Sequence, residues 1–387
     1  MFGGENWQGE IEAAVKLEDE YSTSSVNLLS SPHFAIDTSW FKYRERKDQF
    51  LLTSKVSCPS MKNLHNGLKS LMLTIKKFFI FILTISIAFL LAYSSNVLAG
   101  IETSFLYRLS NFSGPIPYNW ANVAVDKKRN EIYVLDHQER DITLFNDSGM
   151  EFYRFGDGGS LGTAVDAAID KDGNILVLST ARSNVLVAKY NFRGDPIGQL
   201  ALKNVPPDFS SFSPDRMIYR QELLYLLDSR GLRVAVTDAN GLFQNGYDLG
   251  SLAGIKENER DGTDIGGFSV DSEGNMLFTI PVKFAAFVFF PDGEIIRFGK
   301  PGGAPGKFNN IGGIVADDRG YYYVADKLKS AILVFDKDLQ FQLEFGYRGF
   351  RPENLNSPKE LALDSEGRLY VSQLGNRGIS VFQITYK

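Results

Sequence analysis

Five oxygen-bearing side chains recur at one offset along the 387-residue chain. Asn119, Thr163, Asp264, Asn310 and Ser357 each stand seven residues before an Asp that closes a short apolar run: Asp126, Asp170, Asp271, Asp317 and Asp364. Equal offsets in a repeated unit bring such residues to equivalent places, where one acid, two amides and two hydroxyls would form a ring. Hard oxygen donors of this kind suit Ca²⁺ or a polar ligand. Asp264 is the only acid among them, and capping strand ends would explain the same residues. His137 beside Asp136 has the composition of an acid–base pair, although neighbours on a strand point to opposite faces. The single cysteine, Cys58, excludes an intramolecular disulfide and a CxxC metal site. Three histidines, His33, His65 and His137, are too few for a histidine-rich metal centre.

Charge narrows the field further. The whole chain carries 41 basic and 46 acidic side chains, a formal charge of −5. From residue 101 onward there are 37 acids and 31 bases, a balance of −6. Phosphate-backbone binding would need a basic face to offset that deficit, so nucleic acid is not an expected partner. Apolar residues make up 44% and aromatics 13%, with 30 Phe, 17 Tyr and 36 Gly. That is a composition of strands and tight turns.

The elements that must position these residues repeat. IYVLD (132–136), ILVLS (175–179), LYLLD (224–228), MLFTI (276–280), YYVAD (322–326) and LYVSQ (369–373) end at spacings of 43, 49, 52, 46 and 47 residues. Upstream of most lies a strand closing on Asp: NVAVD (122–126), DAAID (166–170), GFSVD (267–271), GIVAD (313–317) and ELALD (360–364). Hairpin turns such as Lys171-Asp172-Gly173-Asn174 join the two, with Gly or Asn supplying positive φ. A third strand follows each time, as in DITLFN (141–146), then a turn and a fourth, as in EFYRFG (151–156).

Four antiparallel strands per unit of about 47 residues describe a propeller blade, and six units a closed ring. The expected fold is therefore all-β, a six-bladed β-propeller. The sixth unit stops at Lys387 after its third strand, and SFLYRL (104–109) resembles the missing fourth, so the N-terminal strand should complete the last blade. The third unit is the irregular one. Its first strand is expected within 209–219, without a closing Asp and interrupted by Pro214.

The runs GAPGKFNNIGGIVADDRGYYYVADKLKSAILVFDKD (303–338) and NSPKELALDSEGRLYVSQLGNRGISVF (356–382) resemble the NHL-repeat signature. The resemblance covers about 101–387 and implies a six-bladed propeller. It implies no single activity, since such rings serve as protein-binding scaffolds, nucleic-acid readers, lyases and, among relatives, metal-dependent lactonases. The lyases need several zinc-binding histidines, and here the repeat region holds only His137.

Ahead of the repeats, residues 78–101 run 24 positions without a charge, after Lys76 and Lys77. A basic start, an apolar stretch Phe78–Tyr93 and the small-residue tail ending Val97-Leu98-Ala99 form a signal-peptide pattern, with cleavage expected after Ala99. The same length could span a bilayer as an uncleaved anchor, in which case the 78–100 segment is the sole membrane contact. Both readings put 101–387 outside the cytoplasm. Residues 1–71 show no sustained amphipathic period and read as an upstream extension, with Met61 or Met72 as alternative starts and 72–99 as the signal.

These observations lead to an exported module of the periplasm or exterior that recognises a protein or glycan through its loops, with no cofactor and no chemistry of its own. Loops after the second strands carry Asp136, His137, Gln138 and Arg140, then Arg182, Asp228, Lys283, Asp326, Lys327, Asn376 and Arg377. Arg140 and Arg377, with Asn119, Asp264 and Asn310, are the expected ligand contacts. The alternative is a calcium-dependent lactonase-type hydrolase centred on Asp264 and Asn310.

Overall fold

Period-two alternation of apolar residues, broken every five or six positions by Asp, Gly or Asn turns, gives the chain little choice but short antiparallel strands. A computed structural model describes residues 100–387, apart from 112–113, 116–119, 138, 157–158, 182–183 and 376. The expected extension and signal segment (1–99), Asn119, Gln138, Arg182 and Asn376 lie outside the described residues. Among the described residues no helix is long and apolar enough to cross a membrane.

Six antiparallel sheets follow one another along the chain. Blade one consists of Asn122–Asp126, Glu131–Asp136, Asp141–Phe145 and Glu151–Phe155. Blades two to five repeat the plan, and their first strands are Ala164–Ile169, Arg216–Arg220, Gly267–Val270 and Ile311–Ala316. Blade six takes Leu361–Leu363, Arg368–Ser372 and Ile379–Tyr386 from the end of the chain. Its fourth strand is Ile101–Asn111, paired antiparallel with Ile379–Tyr386 from Ile101 opposite Tyr386 to Leu109 opposite Ile379. The chain folds as a six-bladed β-propeller, closed as the sequence predicts.

Closure shows equally in the packing. Six apolar clusters lie between consecutive blades, and the one between blades six and one joins Leu109, Tyr370, Ile379 and Val381 to Ile132, Val134 and Phe145. Leu109 is fully buried there, although it belongs to the first of the described strands. Each such aliphatic side chain contributes about 1.5–3 kcal/mol on burial. The ring thus has no exposed end that would need a cap.

The closing Asp of each regular blade is a turn device. Asp170 accepts from the backbone N–H of Asp172 and Asn174 at 2.9 and 2.8 Å, and Asp271 from Glu273 and Asn275 at 2.9 Å each. Asp126, Asp317 and Asp364 do the same for their own hairpins. Blade three departs from the expectation. Its first strand is the uninterrupted Arg216–Arg220, with Pro214 ahead of it, and Arg220 holds the place of the closing Asp. Without that carboxylate the hairpin tightens to two central residues, Gln221 and Glu222, both at positive φ (52° and 62°). That pairing is a type I′ turn built without the usual Asn-Gly.

Candidate functional site

In every sheet the first strand lies at an edge, with one hydrogen-bonded neighbour. All six of these strands line one central cavity of about 180 Å³. Side chains at alternate positions along them face the same way, so the cavity wall is built in layers. The layer four residues before each closing position brings Asn122, Asp166, Arg216 and Glu360 to the cavity, with Gly267 and Gly313 at the same place in blades four and five.

Arg216 dominates that layer. Its Nη2 donates to Glu360 Oε1 at 2.6 Å and its Nη1 to Asn122 Oδ1 at 3.1 Å. Blades three and six face each other across a six-membered ring, so the Arg216–Glu360 pair spans the lumen. Asn122 in turn donates to Asp166 Oδ1 at 2.6 Å, and Asp166 Oδ2 accepts from the backbone N–H of Met217 at 2.7 Å. Blades four and five contribute only glycine, and there the strands close up. A Cβ on Gly267 would come within 2.5 Å of the Gly313 Cα, and Gly313 N–H donates to Lys359 O at 2.6 Å.

The electrostatics follow from burial. Burial pushes the Asp166 carboxyl up to about 6, against the Arg216 charge and the three N–H donors that favour the carboxylate. Burial pushes Glu360 up as well, but Arg216 and Lys359 outweigh it and hold Glu360 below the usual range. Around this layer stand His137, Lys359, Lys327 and Trp120. His137 Nε2 is 3.3 Å from Asn122 Oδ1, and burial followed by the Arg216 charge lowers its pKa, which favours the neutral ring. Burial, then repulsion from Lys359, lowers Lys327, with Asp264 opposing the shift. Lys359 Nζ is 5.4 Å from the Trp120 ring centroid and 3.4 Å from Glu360 Oε1. Trp120 holds a left-handed backbone (φ 60°) while its indole N–H donates to Ser357 O at 2.9 Å. A bulky residue there is strained, and strain concentrates at functional places.

The residues singled out from the sequence are distributed as follows. Asp264 and Asn310 are exposed and meet through Lys327, whose N–H donates to Asn310 O at 2.8 Å and whose charge Asp264 supports. Arg140 is exposed on a left-handed backbone (φ 58°) in the blade-one loop. Arg377 directs Nη1 to Asn354 O at 2.8 Å and Nη2 to Gly349 O, pinning the loop ahead of blade six. Asp326 is fully buried and holds four backbone N–H groups of Asn309, Asn310, Leu328 and Lys329. Among the described residues no group of three or more His, Cys, Asp or Glu is arranged to hold a metal ion.

The central layer itself was within reach of the sequence. It is the first letter of each strand motif: Asn in NVAVD, Asp in DAAID, Gly in GFSVD and GIVAD, Glu in ELALD. These letters vary while the apolar pattern behind them holds. Arg216 was hidden because its strand lacks the closing Asp from which the others are counted.

No family model matches the chain, and no curated protein matches it. Solved structures do. An auxiliary nutrient binding protein from Bacteroides ovatus aligns with a TM-score of 0.52 at 12% identity, over 74% of this chain and 77% of that one. A Bacteroides thetaiotaomicron protein of unknown function aligns at 0.51 and 15%, over 74% and 76%. A gluconolactonase from Xanthomonas campestris gives 0.47 and 14%, over 74% and 90%. At such identities the likeness is one of fold.

Proposed function

We propose that this chain is an exported, non-catalytic binding module of the cell envelope or exterior, which recognises a protein or glycan through the face around Arg216, Lys327, Lys359 and Trp120. The observation that carries this reading is the Arg216 bridge. Asp166 and Glu360 are the two carboxylates of the layer, and a guanidinium already engages Glu360 directly while Asn122 ties Asp166 to the same group. A divalent ion entering there would have to displace Arg216. His137 meets the Asn122 amide and the Ala164 backbone, so its ring is engaged by the wall of the site and has no carboxylate among its hydrogen-bond partners. What the face offers is a rigid array of donors and acceptors beside a fixed indole, which suits recognition of hydroxyls and amides. The NHL-like motifs of the chain accord with a scaffold or binding role, and the signal pattern at 72–99 with export.

The test is affinity capture from envelope extract together with a glycan array, using the chain as purified from cells expressing all 387 residues. The reading expects saturable capture that is lost when Lys327 and Lys359 are both changed to Glu. Calcium bound at one per chain, with lactone hydrolysis that a chelator abolishes, would overturn it in favour of the lactonase-type alternative at Asp264 and Asn310.

A further inference from the structure

Below the Arg216–Glu360 pair the lumen changes character. The next layer, two residues further along each strand, is Ala124, Ala168, Ile218, Ser269, Val315 and Ala362: apolar except for one hydroxyl. Ser269 Oγ is buried and has no hydrogen-bond partner. A buried hydroxyl without a partner is unfavourable unless something enters to meet it.

The far end of the same cavity is cationic. Lys127 and Arg220 both line it, and they are close enough to repel one another. Arg220 donates Nε to Val270 O at 3.2 Å, and no carboxylate lies within hydrogen-bonding distance of its guanidinium among the described residues. The carboxylate nearest Lys127 is Asp318, at 3.8 Å and two-thirds exposed, with Asp364 and Asp317 further off. Burial lowers the pKa of both cations. The nearby acids are committed to their own blades. Asp126 pairs with Arg129 at 2.6 Å, Asp170 with Lys189 at 2.7 Å and Asp364 with Arg368 at 2.5 Å. Asp271 accepts from Asn275 and Asp317 from Tyr323, both at 2.8 Å. Carboxylates act on both cations from a distance, Asp318, Asp364 and Asp317 on Lys127 and Asp318 and Asp271 on Arg220. Burial outweighs them, and an incoming anion in direct contact relieves that cost and the repulsion between the two.

We infer that the lumen is a binding site for a small organic monocarboxylate, its carboxylate between Arg220 and Lys127 and its apolar body against the alanine and isoleucine layer, with Ser269 as a polar contact. Size agrees. A dry apolar cavity of about 150 Å³ admits benzene, so 180 Å³ with a charged end matches a benzoate-sized acid. The Arg216–Glu360 pair crosses the lumen between this end and the loop face, and neither Arg220 nor Lys127 belongs to the proposed recognition face.

Calorimetric titration of benzoate into the chain purified from cells expressing all 387 residues tests the inference. One benzoate should bind per chain, with inorganic phosphate about tenfold weaker because it leaves the apolar layer unfilled. Arg220→Gln should weaken benzoate about tenfold or more, as loss of a charge-assisted bond implies, and Arg220→Lys should restore part of it. Asp318→Asn should tighten binding by freeing Lys127, an effect that damage to the fold would not produce. Should Arg220→Gln fail to fold, Lys127→Met and Asp318→Asn decide. Absence of binding, or affinity unchanged by Asp318→Asn and Lys127→Met, would overturn the site.

Discussion

Arg216 and Glu360 lie 144 positions apart in sequence and 2.6 Å apart in space, joined across the centre of the ring. Both side chains are largely buried, at 19% and 18% exposed. Removing one partner of such a pair leaves a charge without compensation and typically costs 3–5 kcal/mol, whereas replacing both by apolar groups is often neutral. Glu360→Gln should therefore lower stability by about 2–4 kcal/mol. The double change Arg216→Met with Glu360→Leu should recover much of that, although Asn122 then loses a donor. Urea denaturation of the wild type, Arg216→Met, Glu360→Leu and the double variant forms the cycle, and additive losses would mean that the pair is not coupled.

A second expectation concerns pH. The Asp166 carboxyl, raised to about 6 in the folded state, holds its proton more tightly there than in the unfolded chain. Stability from this group therefore grows as pH falls from about 6 towards the unfolded value and is lost as pH rises through 6. Carbon-detected NMR of the side-chain carboxyls should find one Asp titrating near pH 6. If every Asp titrates below about 4, the Arg216 and N–H contacts outweigh burial at this site.

The contact between blades four and five gives a third. Because a Cβ on Gly267 would meet the Gly313 Cα at 2.5 Å, Gly267→Ala should strain the ring by about 2 kcal/mol or more. Gly303→Ala, where nothing lies within 4 Å, should shift the thermal midpoint little. Equal shifts for the two would show that the strands can part.

The irregular hairpin of blade three supplies the fourth. Gln221 and Glu222 each hold positive φ, which costs a non-glycine residue roughly 1 kcal/mol. Asn-Gly at these two positions should raise stability by about 1–2 kcal/mol in thermal melts. The exposed Lys171–Glu222 pair at 2.8 Å would be lost, but solvent screens such surface pairs and they stabilise little. A net loss would mean that this surface pair, or the Gln221 bond to Ser272 O, outweighs the backbone relief.

The fold was legible because the ring is written in repeated pieces: a closing Asp, a Gly turn and an apolar strand each announce their place locally. Even Ile101–Asn111, a strand separated from its partner by the whole ring, betrayed itself by likeness to EFYRFG. The centre was less legible because a six-fold layer is assembled from residues about 47 positions apart, four of them chemically distinct and two of them glycine. Counting back seven residues reached the exposed loop positions Asp264 and Asn310, whereas counting back four reaches Asn122, Asp166 and Glu360. Arg216 and Arg220 were obscured together, since the blade that supplies both bridging and luminal cations is the one that abandoned the Asp-turn pattern. Equally unreadable was the role of Asp326, which looked like a loop acid and serves as a knot of four backbone bonds.

Ring closure also fixes the order of events in making this protein. Among the described blade strands the first to be synthesised, Ile101–Asn111, pairs in its blade with the last, Ile379–Tyr386. Until the ribosome has released Ile379–Tyr386, that leading segment has an unpaired edge and an unburied Leu109, while the five blades between them can already form. Assembly should thus finish in a single late step governed by the meeting of these two strands, and any helper that shields the waiting edge would act before that moment and not after it.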